Sequence, residues 1–166
     1  AKIINLSLGL NLGAESPLLE QAIAQAQHAG ALVIASAGND GKNEIRAPAS
    51  YDDVIAVGAV NSKFERSCFS NTGPELDIMA AGGDGYLCPG PKESILSTLP
   101  NGNYGTLIGT SQAAPMVSGI AALIWAKSPN STASQVAAKL KSSAYKSGSM
   151  ATNDYGAGVV RADVAL

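Results

Sequence analysis

Two uninterrupted apolar runs constrain the fold of this chain more than any other feature. The runs are ALVIASA at 31–37 and VIAVGAV at 54–60. A strand that is apolar at nearly every position is buried on both faces, which is typical of a parallel sheet covered by helices. A strand over 2–6 and a helix over 17–29, capped by Ser16, precede the first run. This order of strand, helix and strand predicts a right-handed βαβ unit and an α/β fold.

The second half of the sequence also contains predicted strands and helices. The predicted elements are a strand at 76–80, a hairpin turning at Asn101–Gly102, a helix at 111–128 stopped by Pro129, and a helix at 133–144 with Thr132 and Gln135 as its capping box. A weakly helical tail follows. Because we find no repeat or linker, we expect residues 1–166 to form one compact unit.

Composition excludes several classes of function. Charged residues make up 14% of the chain and the net charge is −2, so no basic face for nucleic acid is indicated. The apolar runs are too short for a membrane span of about 20 residues. The sequence opens directly on the strand at 2–6 without a signal peptide, so we expect it to begin in the middle of a larger fold. The spacing of Cys68 and Cys88 fits no metal motif and leaves a disulfide and two buried thiols open.

The stretch GTSQAAPMVSG at 109–119 places a serine at the start of a long helix. The first N–H groups of a helix have no partner within it, and they lie at the positive end of the helix dipole. Ser111 there suits a nucleophile whose attack creates an oxyanion. Pro115 has no N–H to lose, so we expect it within about the first helical turn. The alternative is a helix cap without any chemistry.

Two further motifs follow the first two predicted strands. In ASAGND at 35–40, the amide of Asn39 comes just after a strand, where α/β sheets form their sites, and can donate to an oxyanion. The alternative is an ordinary turn. In NLSLG at 5–9, the backbone loosens at a strand end and can pair with an extended peptide. The alternative there is a plain loop from strand to helix.

Together these motifs resemble one family. INLSLG, ASAGN, APASYDDVIAVGAV and GTSQAAPMVSGIAALI, in this order and at this spacing, resemble the subtilisin-like serine proteases. The resemblance extends from about Lys2 to Ala165. It implies the C-terminal part of the catalytic domain, with a three-layer fold around a mostly parallel central sheet.

The resemblance also implies a role for individual residues. Ser111 resembles the nucleophile, and Asn39 the oxyanion-hole side chain that works with the Ser111 N–H. The remaining site residues are Thr110, which supports the oxyanion hole and is grouped with the substrate-binding positions; Ser7, Leu8 and Gly9, one wall of the substrate cleft; and Ala37 and Gly38, a wall of the primary specificity pocket. No cofactor is required.

Further positions carry looser expectations from the resemblance. Pro48 matches a position that is often cis. The carbonyls of Ala49, Tyr51 and Val54 match a weak cation site in some members, so calcium is left open as a stabilising ion. No metal ligand is assigned among the side chains.

The sequence departs from the family pattern near the site. The commonest Met, Ser and His of the signature are replaced by Gln112, Ala114 and Met116. Arg46 lies near the floor of the specificity pocket. Pointing inward, it would favour an acidic side chain before the scissile bond. Pointing to solvent, which we expect, it would leave a preference for apolar residues.

A general base for Ser111 is the missing component. The family's triad runs Asp, His, Ser, and its Asp and His motifs are absent here, so we expect them upstream of Ala1. His28 is the only histidine, and the intervening strand places it roughly 20 Å from Asn39. Lys127 lies about 24 Å from Ser111 along one helix. We therefore expect an associated N-terminal fragment of the same protease to supply Asp and His.

The sequence thus predicts an extracellular serine endopeptidase that acts on peptides or proteins and has no nucleic-acid or membrane partner. Its location follows from the resemblance and the low charge. The alternatives are an isolated inactive fragment and a non-catalytic relative used for binding. A nucleotide-binding module is a further class, but the glycine cluster at 82–85 lacks the lysine and the spacing of a phosphate loop.

Overall fold

The computed structural model describes residues 1–90 and 92–166. Its centre is a parallel sheet of four strands in the order β1-β2-β3-β4. The strands are β1 (Ile3–Leu6), β2 (Leu32–Ser36), β3 (Val54–Val60) and β4 (Ile78–Ala81). Every residue of β2 and β3 is buried, which is what the uninterrupted apolar runs predict. Strand β1 pairs with β2 alone among the strands of the described residues.

Helices and one hairpin complete the chain. They are α1 (Pro17–His28), the antiparallel strands β5 (Ile95–Leu99) and β6 (Asn103–Leu107), then α2 (Thr110–Lys127), α3 (Ala133–Ser142), α4 (Thr152–Tyr155) and α5 (Ala162–Ala165). A 3-10 turn at Pro100–Gly102 joins the two hairpin strands. Asn101 lies in the left-handed region with φ 63°, as the Asn-Gly hairpin signal predicts.

Two apolar layers cover the faces of the parallel sheet. On one face, Ile34 and Val57 pack in one cluster with Val117 of α2 and Leu140 of α3. On the other face, Val33 packs in a second cluster that includes Ile23 of α1. The predicted α/β fold with helices on both faces of a mostly parallel sheet is therefore confirmed.

The predicted element boundaries hold to within about two residues, because local signals mark them. The Ser16 hydroxyl accepts from the Leu19 N–H at 3.3 Å, and Thr132 with Gln135 forms the predicted capping box. Helix α3 ends at Ser142 rather than at 144. Beyond it, the Ala144 N–H donates to the Lys141 carbonyl at 3.3 Å, three residues back instead of four, so the α-helical pattern ends there.

The two cysteines form a disulfide, Cys68–Cys88. It ties the chain after β3 to the segment before β5, and it settles the alternative of two free thiols. Among the described residues, none of the helices combines the length and the hydropathy needed to cross a membrane.

Candidate active site

The carboxyl ends of β1 and β2 and the first turn of α2 meet at one edge of the sheet. The strands are parallel neighbours, so the segments that follow them leave the sheet side by side. The Ser7 hydroxyl donates to the Ser111 carbonyl at 2.8 Å. The Ser111 hydroxyl reaches back to the Ser7 carbonyl at 3.4 Å. Two of the three predicted motifs are thus in direct contact.

Pro115 explains why the Ser111 carbonyl is available to Ser7. Helix α2 begins at Thr110, so the proline is its sixth residue. The expectation that it lies within about the first turn is therefore wrong. A helical residue at this position would donate its N–H to the carbonyl four residues earlier, which is that of Ser111. Because proline has no N–H, that carbonyl accepts from the Ser7 hydroxyl instead.

Asn5 and Ser118 extend this contact and were not predicted as site residues. The Asn5 amide donates to the Ser7 hydroxyl at 2.9 Å, and the Ser118 hydroxyl donates to Asn5 Oδ1 at 2.9 Å. The polar Asn5 within an apolar strand was the signal that could have identified it. These bonds fix the position of β1 relative to the start of α2.

Thr110 holds Asn39 by its side-chain oxygen, and the side-chain nitrogen of Asn39 stays free of bonds to the described residues. Its Oδ1 accepts from the Thr110 N–H and from the Thr110 hydroxyl, each at 2.9 Å. Asn39 is exposed, and its Nδ2 donates to no described residue. The Ser111 N–H likewise has no acceptor within the described part of the chain. Asn39 is thus bonded to Thr110, the residue before Ser111, and both Asn39 Nδ2 and the Ser111 N–H are donors without an acceptor among the described residues.

Buried Asn71 organises the loop that carries Asn39. Its N–H donates to the Gly38 carbonyl at 3.1 Å, and its Oδ1 accepts from the Asp40 and Lys42 N–H groups at 2.9 and 3.2 Å. Gly38 has φ +113°, a conformation that favours glycine. Sequence reasoning did not identify Asn71, because a buried asparagine in a loop leaves no local pattern.

The predicted wall residues differ in exposure. Ser7, Leu8 and Gly9 are exposed, whereas Ala37, Gly38 and Thr110 are buried. Thr110 contacts Asn39 directly, and its hydroxyl also accepts from the Gly38 N–H at 3.3 Å. Its contacts are therefore those of a support for the Asn39 side chain.

Arg46 does not point into solvent, so that expectation is wrong. Its Nε and Nη2 donate to the two carboxylate oxygens of Asp40 at 2.6 and 2.5 Å, and its Nη1 donates to the Leu10 carbonyl at 3.2 Å. The hydrogen bond from Arg46 lowers the pKa of the Asp40 carboxyl, and the same bond raises the pKa of Arg46. About a quarter of each side chain is exposed, 26% for Arg46 and 24% for Asp40.

Neither internal candidate for a base lies near Ser111. His28 is exposed at the last residue of α1, just before β2 begins, whereas Asn39 follows the other end of that strand. Lys127 is the last residue of α2 and donates to the Leu166 carbonyl. Both positions agree with the predicted distance from the site.

Other features lie away from the site or hold no assigned group. A cavity of about 610 Å³ opens at the amino ends of β2 and β3, on the edge of the sheet opposite Ser111. The described residues contain no group of three or more His, Cys, Asp or Glu side chains that could hold a metal ion. The Ala47–Pro48 bond is cis, as predicted. A cation at the carbonyls of Ala49, Tyr51 and Val54 stays a prediction.

Comparisons with known proteins agree with this architecture. The sequence model of the Subtilase family (peptidase S8) matches residues 1–158. Subtilisin DY of Bacillus licheniformis is 43% identical over 98% of this chain and 56% of its own length. Subtilisin E of Bacillus subtilis is 42% identical over 98% of this chain and 40% of its own length. A protease structure from Pseudoalteromonas arctica superposes with a TM-score of 0.89 at 35% identity, over 99% of this chain and 50% of that one.

The chain spans about half the length of the curated relatives that it matches. The match nevertheless runs through both strand-end motifs and the whole of α2. On this match and on the shared fold, the chain belongs to the subtilase family.

Proposed function

We propose that this chain supplies the nucleophile and the oxyanion hole of an extracellular serine endopeptidase. The observation that carries the proposal is the bond between Asn39 and Thr110, the residue before Ser111, which leaves two donors next to the start of α2 unpaired among the described residues. The Ser111 N–H has no acceptor in the described chain, and Asn39 is anchored through Oδ1, which leaves Nδ2 to donate. Pre-oriented donors of this kind stabilise the charge that develops when a hydroxyl attacks a carbonyl.

The base and its orienting carboxylate come from an N-terminal segment of the same protease. The only histidine of this sequence is far from Ser111. The open edge of β1 supports association with such a segment, because Ile3, Ile4 and Leu6 are only partly buried there. An unpaired strand edge presents N–H and C=O groups that another strand can bond.

The proposed reaction follows the acyl-enzyme route. The histidine of the N-terminal segment removes the proton from the Ser111 hydroxyl, and the oxygen attacks the scissile carbonyl. The Asn39 amide and the Ser111 N–H hold the oxyanion. The histidine then protonates the leaving amine, and water hydrolyses the ester on Ser111. The peptide runs along the exposed segment formed by Ser7, Leu8 and Gly9, on the same edge as Ser111.

The disulfide supports an extracellular location, because disulfides persist in oxidising compartments. Calcium as an optional stabilising ion is a separate proposal. Among the described residues, no cluster of His, Cys, Asp or Glu side chains could hold a metal ion. Peptides or proteins are the proposed substrates, and no nucleic-acid or membrane partner is proposed.

Hydrolysis of an unfolded protein by the complete protease, this chain together with its N-terminal segment, tests the proposal. We expect Ser111→Ala to abolish hydrolysis. The matched control is Ser128→Ala, which removes an exposed serine at the other end of the same helix and should leave the rate unchanged. Hydrolysis that survives Ser111→Ala would overturn the assignment, and a complete protease that hydrolyses nothing would favour the non-catalytic alternative.

A further inference from the structure

The side chain of Arg46 occupies the space between the two strand-end segments of the site. A Cβ on Gly9 would lie 3.3 Å from both Cβ and Cδ of Arg46, and a Cβ on Gly38 would lie 3.0 Å from its Cγ and Cδ. The Arg46 side chain therefore lies against the segment after β1 and the segment after β2, with its Cδ close to both. Glycine at position 9 leaves room for the arginine stem, and glycine at position 38 leaves room for both the stem and the Asn71 amide, whose Nδ2 would clash with a Cβ there.

Main-chain bonds hold Arg46 in that place. Its N–H donates to the Ala37 carbonyl at 3.0 Å, and the Leu10 N–H donates to the Ala47 carbonyl at 2.7 Å. The guanidinium adds its bond to the Leu10 carbonyl at 3.2 Å. These bonds hold Arg46 against both segments. Gly38 is buried, although it follows the end of β2 at the edge of the sheet.

The charge of Arg46 is matched within the site. Both oxygens of Asp40 accept from the guanidinium, at 2.5 and 2.6 Å. The Asn71 amide donates to Asp40 Oδ2 at 3.2 Å and helps to hold the carboxylate. A paired arrangement of this kind gives geometric specificity as well as binding energy. An incoming carboxylate would therefore meet a guanidinium whose partner is already in place.

We infer that the Arg46–Asp40 pair restricts the proposed peptidase to substrates with a small, uncharged side chain before the scissile bond. The inference rests on the proposed function. A peptide that runs along Ser7–Gly9 with its scissile carbonyl at Ser111 directs that side chain between the two segments. A large apolar side chain would have to displace the arginine stem. An acidic side chain would have to displace Asp40. Glycine, alanine and serine require neither.

Peptide substrates that differ only at this position test the inference in the complete protease. With Ala, Phe, Glu and Lys compared, we expect kcat/KM for Ala to exceed each of the others by at least about tenfold. Arg46→Gly should raise kcat/KM for Phe, relative to kcat/KM for Ala in the same variant, by at least about tenfold. Asp40→Asn should raise kcat/KM for Glu by a similar factor, because Arg46 is then unpaired. The double variant should lose this gain for Glu.

A second ion pair serves as the matched control. Arg161 and Asp163 pair on the surface at the start of α5, so Asp163→Asn should leave the order of the four substrates unchanged. A wild-type preference for Phe, Glu or Lys, or a substrate order unaffected by both site variants, would overturn the inference while the proposed function stands. If the wild type cleaves none of the four peptides and Ser111 is also unreactive, the proposed function itself fails.

Discussion

The Ser7 hydroxyl donates to the Ser111 carbonyl at 2.8 Å, across more than one hundred positions of sequence. The Ser7 hydroxyl thereby replaces the backbone N–H donor that Pro115 lacks within the helix. The proline therefore ties the start of α2 to the segment that follows β1. In the proposed enzyme, this tie places the nucleophile against the wall along which the peptide runs.

This relationship predicts coupling between Ser7 and Pro115. Ser7→Ala leaves the Ser111 carbonyl without a side-chain donor and should lower the free energy of unfolding by about 1 kcal/mol. In a Pro115→Ala background, the N–H introduced at position 115 can bond to the same carbonyl, so Ser7→Ala should cost less. Urea unfolding of the four proteins measures the coupling.

The control for this cycle is Ser142→Ala, an exposed serine of α3. Its effect should be the same with and without Pro115. Ser7→Ala effects that are equal in both backgrounds, within about 0.3 kcal/mol, would show that the proline does not free the carbonyl for Ser7.

Asn39 and Thr110 should act as one unit on kcat. Asn39→Ala removes the proposed donor and should lower kcat by about 10²–10³-fold with little change in KM. Thr110→Val removes the hydroxyl that bonds Asn39 Oδ1 at 2.9 Å and should lower kcat by a smaller factor. In the Asn39→Ala background, Thr110→Val should add little. Steady-state kinetics of the complete protease check this, and independent effects on kcat would contradict the support role.

The Asp40–Arg46 pair predicts a dependence of stability on pH. The hydrogen bond from Arg46 lowers the pKa of the folded Asp40 below its ordinary value of 3.8. The pair therefore stabilises the fold above that value, and this contribution is lost as the pH falls through the lower pKa of the folded state. Because the pair is about a quarter exposed, we expect about 0.2–1 kcal/mol.

Urea unfolding of wild type and Asp40→Asn between pH 2 and 7 measures this contribution. The difference between the two proteins should be largest near neutrality and should shrink in acid. Salt at about 1 M should reduce it further, since it screens the partly exposed pair. A difference that grows as the pH falls would mean that the charged carboxylate does not stabilise the fold.

The disulfide should contribute to stability through the loop that it closes. Cys68 and Cys88 are separated by 20 residues, and closing a loop of that length in the unfolded chain corresponds to about 3 kcal/mol. The double variant Cys68→Ser/Cys88→Ser should lose about this much. A reductant should destabilise the wild type but leave the double variant unchanged, and equal responses would exclude a stabilising disulfide.

The sequence predicts the elements of this fold well, because their signals are local. Runs that are apolar at consecutive positions can only be buried strands here, and β3 was predicted residue for residue at Val54–Val60. Capping residues fixed the starts of α1 and α3. The start of α2 was predicted one residue late, because its first residue, Thr110, bonds to Asn39 rather than to a cap within the local sequence.

The interactions inside the site were harder to predict. The burial of Asn71 beneath Gly38 joins the loop after β3 to the loop after β2. The pairing of Arg46 with Asp40 lies within the loop after β2, six positions apart in the sequence. Nothing in the residues on either side of these positions specifies such a contact. The bond that replaces the missing Pro115 N–H was equally hard to predict, since its donor, Ser7, follows a distant strand.

The most direct test of the central claim is covalent labelling of the native, complete protease with a fluorophosphonate. Such a probe reacts quickly with a serine only where a base and oxyanion donors activate it. We expect one adduct that maps to Ser111 by mass, lost in Ser111→Ala and strongly slowed in Asn39→Ala. An adduct at another serine, or none on the folded complete protease, would contradict the account.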